Sequence, residues 1–264
     1  MSPRGGAHLH HVEHGTGRPV LVLHGAGVDH RETQACFEPA LAGVPGLRRI
    51  YPDLPGMGRS VAPETLRSAD DVVQVLLDFA DEVTDGADFL VAGHSAGAQY
   101  ARAMADRRPA RVSGLALICP LLPGVRDIPD HAAVIADDHL GNEDFRGYFV
   151  VQTPEMLSRY ERFVAPAAAL VDDAAMARIG GRWKVTPSAG PPYPGPTLIV
   201  AGRRDSTVGY ASANDLLDTY PRASLAVLDG TGHALPHEKP QVLRVLVQEW
   251  VSAAAGWAAQ GRLG

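Results

Sequence analysis

Phe89-Leu-Val-Ala-Gly-His-Ser-Ala-Gly97 decides the reading of this chain. The run begins as an apolar strand, reaches Gly-x-Ser-x-Gly at Gly93, Ser95 and Gly97, and continues into small residues that suit a helix. A strand that turns abruptly into a helix at a serine presents the hydroxyl at the tip of the turn, free to attack a carbonyl carbon. Glycines two residues to either side serve the same turn, because the backbones approach too closely for a side chain. The five-residue pattern is common by itself. It gains meaning from the strand before it, the helix after it, and an acid and a histidine that follow in order.

Outward from Ser95, short apolar runs alternate with helical patterns, as in crossover units that build a doubly wound, mostly parallel α/β sheet. Strands are expected at Pro19–Leu23, Arg48–Tyr51, Gly114–Cys119, Thr197–Ala201 and Ser224–Leu228, with a weak edge strand over His8–Glu13. Val72, Val73, Leu76, Leu77 and Phe79 give Ala69–Val83 the apolar face of a helix, and a last helix covers about Pro240–Ala254. The alternation fails between Leu122 and Gly195. A structureless loop of that length is improbable in a compact domain, so residues 122–195 are expected to form a helical cap over a core made of 1–121 and 196–264. Helical pieces are expected there at Thr153–Val164 and Ala167–Ile179, and a Pro-rich run closes the insertion.

Three further features follow from what acyl transfer needs. A serine hydroxyl is a poor nucleophile near neutral pH, so a histidine held in one tautomer by a carboxylate must take its proton. His233 falls in the loop after the last strand and Asp205 in the loop after the strand before it, giving the chain order Ser95, Asp205, His233. An oxyanion needs amide donors, expected from Ala96 at the start of the helix and from the turn His24-Gly25-Ala26-Gly27, with Ala26 preferred and Gly27 the alternative.

Composition narrows the setting. The chain has 264 residues, 45% hydrophobic and 20% charged, with a net charge of −6, which suits an ordinary globular protein and gives no reason to expect nucleic acid as a partner. Cys36 and Cys119 are too few for a disulfide framework and lack zinc-site spacing, so both are expected as buried free thiols. No run approaches a membrane span and the N-terminus has no apolar signal core, from which a cytoplasmic protein, a monomer or homodimer, is expected. His8, His10 and His11 are expected as solvated edge residues, not metal ligands, since no further ligand cluster accompanies them. His24 and His94 are expected to order loops through hydrogen bonds, and Asp53 with Arg59 to fix a loop.

Five stretches together resemble the α/β-hydrolase superfamily: His-Gly-Ala-Gly at 24–27, Asp-Leu-Pro-Gly-Met-Gly-Arg-Ser at 53–60, Gly-His-Ser-Ala-Gly at 93–97, Gly-Arg-Arg-Asp at 202–205 and Gly-His-x-x-x-x-Glu-x-Pro at 232–240. The resemblance covers nearly everything outside the insertion. It implies a serine hydrolase that needs neither metal nor organic cofactor and cleaves a small to medium apolar ester, thioester or lactone. Relatives that use aspartate as nucleophile are set aside by Ser95. Carbon–carbon hydrolysis, biosynthetic acyl transfer or ring closure, and a small-molecule receptor with little turnover stay open. The superfamily's usual first strand is expected to be short or missing.

Overall fold

The computed structural model describes residues 8–124 and 128–261. Residues 1–7, 125–127 of the expected insertion, and 262–264 lie outside the described residues, so the expectation of a short or missing leading strand falls in part on residues that are not described. In chain order the core elements are β1 (His11–His14), β2 (Arg18–Leu23), α1 (His30–Leu41), β3 (Leu47–Pro52), α2 (Ala69–Val83), β4 (Phe89–His94), α3 (Ala96–Arg107) and β5 (Val112–Ile118). Between β5 and β6 (Thr197–Gly202) come α4 (Glu143–Tyr148), α5 (Pro154–Arg159), a π-helical turn (Tyr160–Val164), α6 (Ala165–Ala168) and α7 (Asp173–Gly180). After β6 follow a 3-10 turn (Ala211–Asp215), α8 (Leu216–Thr219), β7 (Ala223–Leu228), α9 (Leu235–Glu238) and α10 (Pro240–Ala259).

Among the described residues the seven strands form one sheet in the order β1-β3-β2-β4-β5-β6-β7, parallel except for β1. Side chains alternate across a strand, and the central strands use both faces for burial. Leu21, Leu23, Val91, Leu115 and Leu117 pack on one face with α2 and α3 residues such as Leu76 and Met104. Val20, Val22, Leu90, Ala116 and Ile118 pack on the other with Phe37 of α1 and Leu243 and Trp250 of α10. Strand order reverses at β2, whose neighbours β3 and β4 both follow it in sequence. The loops after β2 and β4 therefore diverge around a crevice at the carboxyl ends of the strands, where open α/β sheets bind ligands.

Helix α2 keeps the expected bounds, α10 starts where expected and runs on to Ala259, and the helix expected over Thr153–Val164 is α5 followed by the π-helical turn. The start of α2 is set by Ser68, whose side chain accepts from Asp71 N, with Asp70 and Asp71 facing the positive end of the helix dipole. Helix α1 is not among the sequence expectations. Its first turns are polar and Pro39 lies inside it, yet Asp29 caps it by accepting from Arg31 N, and it buries Cys36, Phe37, Ala40 and Leu41. Pro39 has no N–H to offer Ala35 O, and Arg159 Nη2 lies 3.5 Å from that carbonyl. The helix expected over Ala167–Ile179 is two pieces. Asp172 breaks it: its N–H donates to Gly56 O at 2.8 Å, and its side chain caps α7 through Ala175 N.

Chain crossings at the turn after β4 admit no side chain. A Cβ on Gly93 would collide with Gly97 O, and one on Gly97 with the carbonyl oxygens of Leu23 and His24. Helix propensity alone would make Gly97→Ala stabilising by about 1 kcal/mol. Because the obstacles are backbone atoms, the variant is instead expected to lose at least about 2 kcal/mol in urea unfolding. An unchanged midpoint would show that the crossing can relax.

Candidate active site

Ser95 lies between β4 and α3 with φ 55° and ψ −118°, a backbone conformation that costs a non-glycine residue about 1–3 kcal/mol. The surroundings hold it there. Ser95 N donates to Ile118 O at 2.9 Å, and its carbonyl accepts from Leu121 N at 3.2 Å, so β5 and the chain beyond it clamp the turn from both sides. Ala96 opens α3, where the first N–H groups of a helix have no partner within it.

The three distant side chains meet. His233 Nε2 lies 2.9 Å from Ser95 Oγ, and His233 Nδ1 lies 2.8 Å from Asp205 Oδ2. Asp205 is fully buried, and its Oδ1 accepts from the N–H groups of Thr207 and Val208, both at 2.9 Å. Burial pushes its carboxyl up. The bond from His233, that ring's charge and the two amides outweigh this, so the group sits below the usual aspartate range. With a carboxylate accepting at Nδ1, the imidazole carries its proton there and presents a lone pair at Nε2 to the serine hydroxyl. Such an arrangement can remove a proton from an attacking hydroxyl and return it to a leaving group.

Each loop is held by a separate buried group. Leu54 N donates to His24 Nε2 at 2.8 Å, and His24 Nδ1 lies 2.7 Å from Gly25 O, so the turn after β2 is tied to the loop after β3. Burial lowers the His24 pKa and keeps the ring neutral. His94 Nε2 lies 3.0 Å from His233 O, and the two rings sit 4.9 Å apart. Burial lowers His94 to about 4. Both histidines order loops, as the sequence leads one to expect.

Asp53 does so differently from expectation. It accepts from the backbone N–H of Arg59, not from its guanidinium, and also from His30 N, while the Nδ1 atoms of His10 and His30 lie 2.9 and 2.7 Å from its two oxygens. His10 is thus no solvated edge residue. These three side chains are close enough to hold a metal ion, but every ring nitrogen facing Asp53 is already in a hydrogen bond. Cys36 and Cys119 are both buried and free.

Two carboxylates, Glu238 half-buried and Glu32 buried, had no assigned role in the sequence. Glu238 lies in the Glu-x-Pro motif: its Oε2 accepts from Thr231 Oγ1 at 2.6 Å and Gly232 N at 2.9 Å, directly before His233. Its Oε1 accepts from Val150 N and Val151 N of the insertion. Glu32 gives no signal in sequence, being one acid among polar residues. It is 1% exposed, accepts from Tyr148 Oη at 2.8 Å, and faces His237 Nε2 at 3.3 Å and His94 Nδ1 at 3.9 Å. Arg159 Nε in turn donates to His237 Nδ1 at 3.1 Å. These contacts fasten α4 and α5 beside the serine and histidine.

A cavity of about 360 Å³ opens at Ala26, Gly27 and Ala96 and is walled mainly by apolar side chains, among them Leu54, Val72, Met176, Ile179 and Trp183. The three residues expected to donate to an oxyanion therefore border one cavity, from two loops.

Residues 20–244 match the model of the alpha/beta hydrolase family. The chain belongs to that family and is a hydrolase. Among solved structures, an alpha/beta superfamily hydrolase from Oenococcus oeni is 25% identical, with a TM-score of 0.85 over 93% of this chain and 96% of that one. A thermophilic esterase from Thermogutta terrifontis is 22% identical, with a TM-score of 0.66 over 93% of each chain. An esterase from Exiguobacterium antarcticum is 17% identical, with a TM-score of 0.73 over 92% and 95%. No curated protein matches the chain. Among the described residues no helix is long and apolar enough to cross a membrane.

Burial alone would raise the Glu32 carboxyl. The hydrogen bonds from His237 and Tyr148 and the field of His94 overcome it and hold the group down at about 2, from an ordinary 4.5. A depressed folded-state pKa contributes stability that is complete above the unfolded value and is lost as pH falls toward the folded one. Wild type should therefore exceed Glu32→Gln in urea stability near pH 6, with the margin narrowing by roughly 1–3 kcal/mol on descent to about pH 3. A margin independent of pH would mean that the charge of Glu32 contributes nothing.

Proposed function

We propose that the protein hydrolyses esters or thioesters of apolar acyl groups, or lactones, through an acyl-serine intermediate. The observation that carries this reading is the Ser95–His233–Asp205 relay, with separations of 2.9 and 2.8 Å, opening beside the apolar cavity. Ser95 Oγ attacks the carbonyl carbon as its proton passes to His233 Nε2. Asp205 holds the imidazole in place and stabilises its charged form. The amides of Ala96 and Ala26, with Gly27 the alternative to Ala26, receive the oxyanion, a contribution typically worth about 3 kcal/mol per donor. His233 then protonates the leaving group, and the cycle repeats with water to release the acid.

The strained backbone at Ser95 fits this role, because strain of that kind persists at sites where geometry matters more than local stability. Support for ester chemistry also comes from the esterases of Thermogutta terrifontis and Exiguobacterium antarcticum among the structural neighbours, which share the fold. Residues 128–195 would act as the cap: Tyr148, Arg159 and Trp183 come from this stretch and meet the core at or near the site. The partner is a small molecule, and the chemistry calls on no cofactor.

The test is hydrolysis of a nitrophenyl ester by wild type, Ser95→Ala and His233→Ala. Each variant is expected to lose at least roughly 10⁴-fold in kcat, with the pair no worse than either alone, since the groups act as one unit. Turnover that survives Ser95→Ala, in protein free of contaminating esterase, would refute the assignment.

A further inference from the structure

Helix α3 leads away from Ser95 past a second hollow. Ala96, Gln99 and Tyr100 border the first cavity, of about 360 Å³. Gln99, Arg102, Ala103 and Asp106 border another, of about 190 Å³. Three- and four-residue spacings place these side chains along one side of the helix, so the hollows lie end to end on a common rail. The rail from Ala96 to Asp106 is roughly 15 Å long at the usual helical rise. Two other stretches repeat the order: Leu121 lines the first hollow and Pro123 the second, and Trp183 lines the first and Val185 the second. Among the described residues Gln99 alone borders both.

Gln99 stands one turn beyond the serine, its backbone N–H donating to Ser95 O at 3.3 Å. Its side chain reaches across to the insertion, where Nε2 donates to Trp183 O at 2.9 Å. The amide thus lies like a bar between α3 and the chain running from Trp183 to Val185. Oε1 is buried and has no hydrogen-bond partner. Swinging the bar aside breaks one hydrogen bond and forfeits nothing at Oε1. The two hollows share no other lining residue among the described ones, so an acyl chain passing from one to the other takes the place of this one side chain, which suits an unbranched polymethylene segment.

Building on the acyl-serine reading of Ser95, we propose that Gln99 sets the acyl-chain length of the substrate. Unbranched acyl groups of short and medium length end against it in the first cavity. Long ones are accepted only when the side chain is displaced, and then run along α3 into the second hollow. The substrates of this hydrolase are accordingly esters or thioesters of linear acyl chains.

The experiment compares kcat/KM for nitrophenyl butyrate, octanoate and laurate in wild type, Gln99→Ala, Gln99→Asn and Gln99→Met, with melting curves to confirm folding. Asparagine keeps an amide but is one methylene too short to reach Trp183 O, whereas methionine keeps the length and bulk of the bar without its hydrogen bond. The laurate-to-butyrate ratio should rise about tenfold or more in the alanine and asparagine variants, the scale on which an apolar pocket discriminates chain length. In the methionine variant it should rise clearly less than in the alanine variant. A ratio unchanged in a folded alanine or asparagine variant overturns the proposal, as does a methionine variant that behaves like alanine. Calorimetric binding of butyrate and laurate to Ser95→Ala, with and without Gln99→Ala, reads the same selectivity without turnover. Absent turnover of every ester by wild type would therefore count against the acyl-serine reading, while the binding ratio would still decide the role of Gln99.

Discussion

Everything at this site depends on how closely three pieces of backbone approach one another behind Ser95. The carbonyls of Leu23 and His24 press on Gly97, Gly97 presses on Gly93, and Ile118 O and Leu121 N grip the serine itself. These contacts force the serine into a conformation it would otherwise avoid, and they bring together the ends of β2, β4 and β5. The cost is borne by a sheet buried on both faces, in which central strands have almost no freedom to yield. Rigidity of the scaffold is thus what aims the hydroxyl, the turn at Ala26 and the start of α3 at one small volume.

Carboxylates withdrawn wholly or partly from water perform a second task, which is joining the insertion to that scaffold. Glu238 binds the loop before His233 with one oxygen and the backbone at Val150 and Val151 with the other. Glu32 collects Tyr148 from the insertion and His237 from the far end of the core. Taking carboxylates out of water is costly, and such groups are weak evidence for stability in themselves. Their contribution is positional: the cavity wall supplied by the insertion and the loop bearing His233 share the same anchors.

The sheet was largely legible in the sequence because its central strands are continuous apolar runs closed by glycine and proline. Ser95, Asp205 and His233 were legible for a related reason, since each follows a strand within a short, glycine-marked turn. What escaped notice was structure made by context. Helix α1 has a weak pattern because its buried side includes Glu32 and Thr33, and the burial of Glu32 makes sense only beside His94, His237 and Tyr148. The break at Asp172 depends on a carbonyl of Gly56, more than a hundred residues earlier. His10 reads as an exposed edge residue until Asp53 is placed beside it. Gln99 looks like an ordinary helix residue, because what distinguishes it is the pair of hollows it separates.

The central claim is that Ser95 attacks a carbonyl whose oxygen turns toward Ala26 and Ala96 and whose acyl group enters the apolar cavity. A crystal structure of the protein after reaction with an alkyl phosphonate tests all three parts at once. The account predicts a phosphorus–oxygen bond to Ser95 Oγ, a phosphoryl oxygen within hydrogen-bond reach of the amides of Ala96 and of Ala26 or Gly27, and the alkyl chain along α3 toward Gln99. An adduct elsewhere, or an unmodified Ser95 with the probe bound in another cleft, would contradict it.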